Sequence, residues 1–307
     1  MSLAQSTQEV RAPERKESDV IQSASITAMM RSVLASESGK LKNPDYLATH
    51  FVNDEWRNYL QDPKKSFEML NHRIPGGVIY MLIRTKYFDD SLRKWLKKNP
   101  DSQIVLMGSG FDTRSLRFDN SLSEASTFFE LDLKRMLEHK KQIINNNNLN
   151  SNNIDIRYLP INFHEEDSID VLLENGLNPN KPTYFLLESI SFFLEEKTII
   201  NLLSKINESM QSETLIALDY VFRDYVEGNL SYYGAKETHA ELQDLGEPHL
   251  FGLNYNEVEA FFNNVGYEVK NNYTSKMLEF GYLANQDGSN SLGSISTFFG
   301  LTEAGKY

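Results

Sequence analysis

Apolar positions recur at two different spacings along this chain, and the change from one to the other falls near Pro100. From Ser25 onward, Ile26, Met29, Met30, Val33 and Leu34 keep helical spacing, with Ser25 or Thr27 available to start the helix. Shorter amphipathic pieces follow around Tyr46–Val52 and Phe67–Leu70. Pro75-Gly76-Gly77 then interrupts the chain before the long helical pattern VIYMLIRTKYFDDSLRKWLKK. Residues 25–100 thus read as a helical cap leading into the core. Residues 1–24 show no apolar periodicity of their own and read as a flexible arm.

After Pro100 the texture alternates. Short apolar runs rich in β-branched and aromatic residues (QIVLMG, STFFELD, IDIRYLPI, PTYFLLES, ETLIALDYV) are interleaved with the helical patterns KRMLEHKKQII, EDSIDVLLENG and EKTIINLLSKINESM. Such alternation predicts an α/β fold, a mostly parallel sheet with helices on both faces. NNNNLNSNN reads as a tolerated surface loop. The ending breaks the rhythm: NEVEAFFNNVG is a helix stopped by Gly266, followed by strand YEVKNNYTS and, after NQDGSNSLGS, strand SISTFFGL. These last two predict an antiparallel hairpin at the sheet edge, making seven strands within residues 101–307. An insertion near 222–252 forms a lid.

Composition narrows the chemistry. The chain has 307 residues, 40% hydrophobic and 24% charged, as expected of a globular protein. It has no cysteine, which excludes disulfides, thiolate metal sites and cysteine nucleophiles. The net charge of -12 comes with no basic cluster, which argues against nucleic acid or an anionic membrane as partner. No apolar run reaches the length of a membrane span, and the first twenty residues lack the apolar centre of a signal peptide. A cytoplasmic location and a small-molecule partner are expected, with no metal.

The candidate chemistry begins in IVLMGSGFDTRSLRF, Ile104–Phe118, where an apolar strand runs into Gly108-Ser109-Gly110. A strand, a glycine turn and a helix start cradle part of a nucleotide-like cofactor. A dinucleotide fingerprint needs a third glycine where this chain has Thr113, so that fingerprint fails. Asp132 ends the next predicted strand and can accept hydrogen bonds from both hydroxyls of a ribose. Glycine turn and carboxylate together fit an adenosine cofactor without a pyrophosphate, and S-adenosylmethionine is the obvious one. Arg84 sits in an apolar helical context, where a buried guanidinium needs a partner.

Four segments in this order resemble the leucine carboxyl methyltransferase family, with its bacterial branch of polyketide-type O-methyltransferases. They are RTKYFDD at Arg84–Asp90, VLMGSGFDTRSLRF at Val105–Phe118, FELDLKRMLEHK at Phe129–Lys140 and YFLLESISFFL at Tyr184–Leu194. The resemblance implies a Rossmann-like class I methyltransferase fold and S-adenosylmethionine as cofactor. It implies that Arg84 meets the methionyl carboxylate, Gly108 and Gly110 approach the methionyl part, and Asp132 binds the ribose. Asn162 and Phe163 would flank the adenine, where the family usually has Asp-Leu, and Glu188 would lie near the cofactor. Asp112, Thr113 and Arg114 would brace the loop. Ser189 and Phe193 depart from the family's usual Gly and Tyr.

Beyond the fifth strand, the aromatic and His-rich segment offers Tyr232, Tyr233, His239 and His249 as substrate-side candidates. The resemblance implies methylation of a small-molecule carboxylate, with hydroxyl O-methylation, protein C-terminal carboxyl methylation and a non-catalytic cofactor-binding role as alternatives. No catalytic base follows from the sequence.

Overall fold

A computed structural model describes residues 17–118, 123, 126–149, 154–285, 287–288 and 290–306. The helices α1 (Glu17–Val33), α2 (Asp54–Arg57), α3 (Pro63–Arg73) and α4 (Gly77–Lys98) precede the sheet. Then come β1 (Gln103–Met107), α5 (Arg114–Arg117), β2 (Thr127–Asp132), α6 (Lys134–Asn146), β3 (Asp155–Pro160), α7 (Ser168–Glu174) and β4 (Thr183–Leu187). The chain continues through α8 (Glu196–Ser209), β5 (Thr214–Val221), α9 (Arg223–Val226), α10 (Ala235–Asp244) and α11 (Val258–Asn264). It ends with β6 (Glu268–Thr274), α12 (Ser275–Leu283) and β7 (Phe299–Lys306).

The strands form one sheet in the order β3-β2-β1-β4-β5-β7-β6. β1 to β5 are mutually parallel, while β7 runs antiparallel between β5 and β6. Strand alternation divides the core in two. Ile104, Leu106, Phe128, Tyr184 and Leu186 face α1, α4 and α12, whereas Val105, Met107, Phe129, Leu131, Phe185 and Leu187 face α7, α8 and α11. Both faces of the central strands are buried, which is why β1 and β4 read as unbroken apolar runs. Chain order reverses between β1 and β4, so a crevice opens at their carboxyl ends, where open α/β sheets hold ligands.

Three expectations are corrected. The arm does not extend to residue 24, because α1 begins at Glu17. Its first turns carry few apolar residues, yet Ile21 and Ala24 pack on the core, so tertiary contact supports what periodicity does not show. Residues 1–16 lie outside the described residues, as do 150–153 of the expected Asn-rich loop. The terminal strands do pair, but α12 stands between them, and the last strand starts at Phe299 rather than Ser294. Met277 and Phe280 of α12 are exposed, which masked its helical face in the sequence.

Glu130, in the middle of β2, is fully buried and pairs with the equally buried Lys140 of α6, while Ser115 Oγ donates to it at 2.5 Å. Lys140→Met leaves this carboxylate without its cation and is expected to cost about 3–5 kcal/mol in urea unfolding. Adding Glu130→Gln should restore most of that loss. A single variant as stable as the native chain would contradict a structural role for the pair.

Candidate functional site: a cofactor crevice braced by arginine–carboxylate pairs

The crevice at the carboxyl ends of β1 and β4 opens into a cavity lined by parts of α1, α4, the glycine turn, the β4 edge and α10. Gly108 and Gly110 adopt φ of +66° and +42°, values that L side chains rarely take. A Cβ on Gly108 would lie 2.8 Å from Ile190 Cδ1, so the turn also requires a glycine for packing against the β4 edge. Asp132 fixes the turn: its Oδ2 accepts from Gly110 N at 2.7 Å and its Oδ1 from Leu133 N at 2.7 Å. Asp132 also forms part of the cavity wall.

Arg84 enters from the middle of α4, and its partners are Glu188 and Asp219 rather than the nearby Asp89, Asp90 or Asp112. Its Nη1 donates to Asp219 Oδ2 at 3.0 Å and also to Ser189 Oγ. Its Nε lies 2.9 Å from Glu188 Oε1 as an ion pair, without the alignment of a hydrogen bond. The adjacent carboxylates outweigh burial and hold Arg84 protonated, its pKa raised well beyond the ordinary arginine value. Asp219 is fully buried in β5 and also accepts from Tyr80 Oη at 2.8 Å and Ser189 N at 2.7 Å. Burial pushes its carboxyl up, against the opposing pull of Arg84.

These bonds explain the departure at Ser189. Its φ is +59°, a conformation that favours glycine. Its backbone N–H is tied to Asp219 and its hydroxyl to Arg84, so two anchors hold a strained residue in place.

A second arginine, Arg114, joins three carboxylates. Its Nε donates to Asp89 Oδ1 at 2.9 Å and its Nη1 to Glu188 Oε2 at 2.7 Å, with Asp112 as a further partner of Nη1. Burial opposes ionisation of Asp112, but Arg114, aided by Lys140 and Arg117, holds its carboxyl below the usual range. Arg117 extends the chain of pairs to Asp89, and Thr113 Oγ1 donates to Asp45 at 2.6 Å, which also accepts from Arg31. Asp112, Thr113 and Arg114 therefore brace the loop.

Arg84, Gly108, Gly110, Asp132, Glu188 and His249 all line the cavity. Asn162 and Phe163 do not: Asn162 Oδ1 accepts from His164 N, and Phe163 packs on the opposite core. Tyr232, Tyr233 and His239 are also absent from the lining. Tyr232 Oη is committed to Asp224, Tyr233 is 43% exposed, and His239 packs edge-on against Tyr225. Asp219, Asp45, Arg31 and Glu247 are site residues that the sequence pattern does not single out. For Asp219 a signal existed, since a carboxylate in the apolar run ALDYV has to meet a partner inside the protein.

The far end of the cavity is aromatic. His249 lies 4.5 Å from the Phe192 ring, 5.2 Å from Phe193 and 5.7 Å from Tyr225, between ring centroids. Leu242, Leu245, Phe299 and the buried Glu247 complete that wall.

The donor set fits an adenosyl amino-acid cofactor. Ser109 Oγ and Arg84 Nε are buried at the glycine-turn end without a hydrogen-bond partner among the described residues, and an amino-acid moiety there would satisfy them. Asp132 lies on the same cavity wall, where a ribose would meet its carboxylate. The sheet order and its antiparallel strand β7 give the Rossmann-like architecture of the class I methyltransferase fold.

Comparison with known proteins is specific about the family. The leucine carboxyl methyltransferase family model matches residues 24–207, and the chain belongs to this family. A Mycobacteroides abscessus protein assigned by name to the S-adenosyl-L-methionine-dependent methyltransferases is 28% identical over 195 residues, 57% of each chain. A Streptomyces avermitilis protein with the same assignment is 26% identical over 153 residues, 48% of this chain and 50% of the relative. The chain thus spans about half the length of these relatives. The crystal structure of a DUF574 family protein from Streptomyces avermitilis shares the fold, with a TM-score of 0.62 at 12% identity over 92% of this chain and 97% of that one. A Thermobifida fusca protein named as a methyltransferase superposes with a TM-score of 0.57 at 12% identity, covering 92% and 94%. S-adenosylmethionine is the cofactor that family and site have in common. No helix among the described residues is long and apolar enough to cross a membrane.

Proposed function

We propose that the chain is an S-adenosylmethionine-dependent O-methyltransferase acting on a hydroxyl of a small, largely apolar acceptor. The observation that carries this reading is His249, set among Phe192, Phe193 and Tyr225 at the apolar end of the cofactor cavity. A hydroxyl gains from a base as it attacks, and histidine is the side chain suited to that task.

When bound, S-adenosylmethionine would supply a sulfonium methyl group as the electrophile for the acceptor oxygen. The chain's own residues align the partners and exclude water. Asp132 holds the ribose, and Arg84 with Ser109 holds the amino-acid end. Phe192, Phe193, Leu242 and Leu245 wall the acceptor, and His249 takes the hydroxyl proton.

A carboxylate acceptor is the second reading, favoured by the family's description. Two features weigh against it. The cationic lining residues Arg31, Arg84, Arg114 and Arg117 each already have a carboxylate partner. The aromatic end is also lined by Phe192, Phe193, Leu242 and Leu245, apolar side chains that do not stabilise an anion.

The test is a product screen by mass spectrometry with phenols, alcohols and the matching carboxylic acids. O-methyl ethers are expected. His249→Gln should lower kcat on those acceptors by about 10²–10⁴-fold while S-adenosylhomocysteine binding is unchanged. Methyl esters formed equally well by the native chain and by His249→Gln would overturn the hydroxyl reading in favour of the carboxylate one.

A further inference from the structure

Beyond Arg84, helix α4 contributes to a second cleft. Tyr87, Asp90, Ser91 and Lys94 of α4 meet Asn271 and Tyr273 of β6, Tyr282 of α12 and Glu303 of β7 there. Glu303 pairs in register with Ala217, whereas the cofactor-site Asp219 lies two residues nearer the carboxyl end of β5. The cleft shares no lining residue with the cofactor crevice.

Two of its groups lack what burial demands. Glu303 is 8% exposed and accepts a hydrogen bond from Asn271 Nδ2 at 2.5 Å, but it has no ion pair among the described residues. The Tyr87 hydroxyl belongs to a side chain 7% exposed and has no hydrogen-bond partner among the described residues. A buried carboxylate calls for a cation, and a buried hydroxyl calls for a polar neighbour. The cation available on the wall, Lys94, is solvent-exposed. Asp90 is already engaged by Arg93 at 2.8 Å and by Tyr282 Oη at 2.9 Å.

The aromatic arrangement indicates which cation fits. The Tyr87 and Tyr273 rings meet edge-on, with centroids 6.1 Å apart and planes at 78°, and Tyr282 also lines the cleft. Aromatic rings beside one carboxylate suit an alkylated ammonium, whose charge is spread over methyl groups and is cheap to dehydrate. A ligand hydroxyl would satisfy Tyr87. Met277 and Phe280 of α12, 49% and 70% exposed, supply an apolar rim.

We propose that this cleft, formed by Tyr87, Tyr273, Tyr282 and Glu303, binds a small quaternary ammonium alcohol. The site is separate from the cofactor cavity and does not depend on which acceptor is methylated.

Calorimetric titration of the native chain with choline, and with its uncharged carbon isostere 3,3-dimethylbutan-1-ol, tests the proposal. Choline is expected to saturate one site and to bind at least about tenfold more tightly than the isostere. Glu303→Gln retains a side-chain acceptor for Asn271 and should weaken choline by roughly tenfold, with S-adenosylhomocysteine affinity unchanged as a check on folding. Tyr87→Phe should give a smaller loss. Absence of choline binding at millimolar concentration, or equal binding of the isostere, would overturn the proposal without reference to any variant.

Discussion

Asp132→Ala is expected to weaken S-adenosylhomocysteine binding by about 1.5–3 kcal/mol, roughly ten- to hundredfold in Kd. Two losses coincide. The ribose loses a charged acceptor, and the glycine turn loses the carboxylate that receives Gly110 N and Leu133 N. Asp132→Asn separates them, because the amide oxygen can still accept one backbone N–H while the charge and one acceptor are gone. Calorimetry should therefore place Asn between native and Ala. Unchanged affinity in both variants would remove Asp132 from the cofactor site.

Arg114→Ala should produce the largest loss of stability among the site variants. It leaves Asp89, Asp112 and Glu188 without a shared cation in a region where the arginine side chain is 3% exposed. Removing one partner of a buried pair costs about 3–5 kcal/mol, a large part of the 5–15 kcal/mol that holds a typical domain together. Arg114→Lys keeps the charge but lacks the fork that reaches several carboxylates, so it should recover part of the loss. Urea unfolding measures both. A native-like midpoint for Arg114→Ala would mean that the network is dispensable.

The parts of this protein that were legible in its sequence follow from local rules. Two-sided burial writes β1 and β4 as apolar runs, and Gly108 and Gly110 occur where the backbone needs left-handed conformations. Arg84 could be read as a buried cation in search of a carboxylate, but its partners could not be named. Glu188 lies 104 residues later and Asp219 a further 31, and their meeting depends on sheet order. The same limit applies to the acceptor end. Tyr232, Tyr233, His239 and His249 lie close together in sequence, yet His249 alone of the four lines the cavity: Tyr232 bonds Asp224, Tyr233 is exposed, and His239 on α10 packs against Tyr225. Asn162 and Phe163 follow β3 at the expected place, but a local turn closed by His164 N draws the asparagine oxygen away.

Ser189 shows how a departure from a family's pattern can be absorbed. A residue with a Cβ occupies a left-handed position, and the bonds to Asp219 and Arg84 that hold it are also those that orient the guanidinium.

In the proposed binding mode the crevice between β1 and β4 holds the cofactor with its ribose at Asp132 and its amino-acid end at Arg84 and Ser109. A crystal structure with S-adenosylhomocysteine bound tests it most directly. Hydrogen bonds from both ribose hydroxyls to Asp132, with a carboxylate against Arg84 Nε or a carboxylate or ammonium group against Ser109 Oγ, are expected. A cofactor bound elsewhere, or with its ribose out of reach of Asp132, would contradict the account.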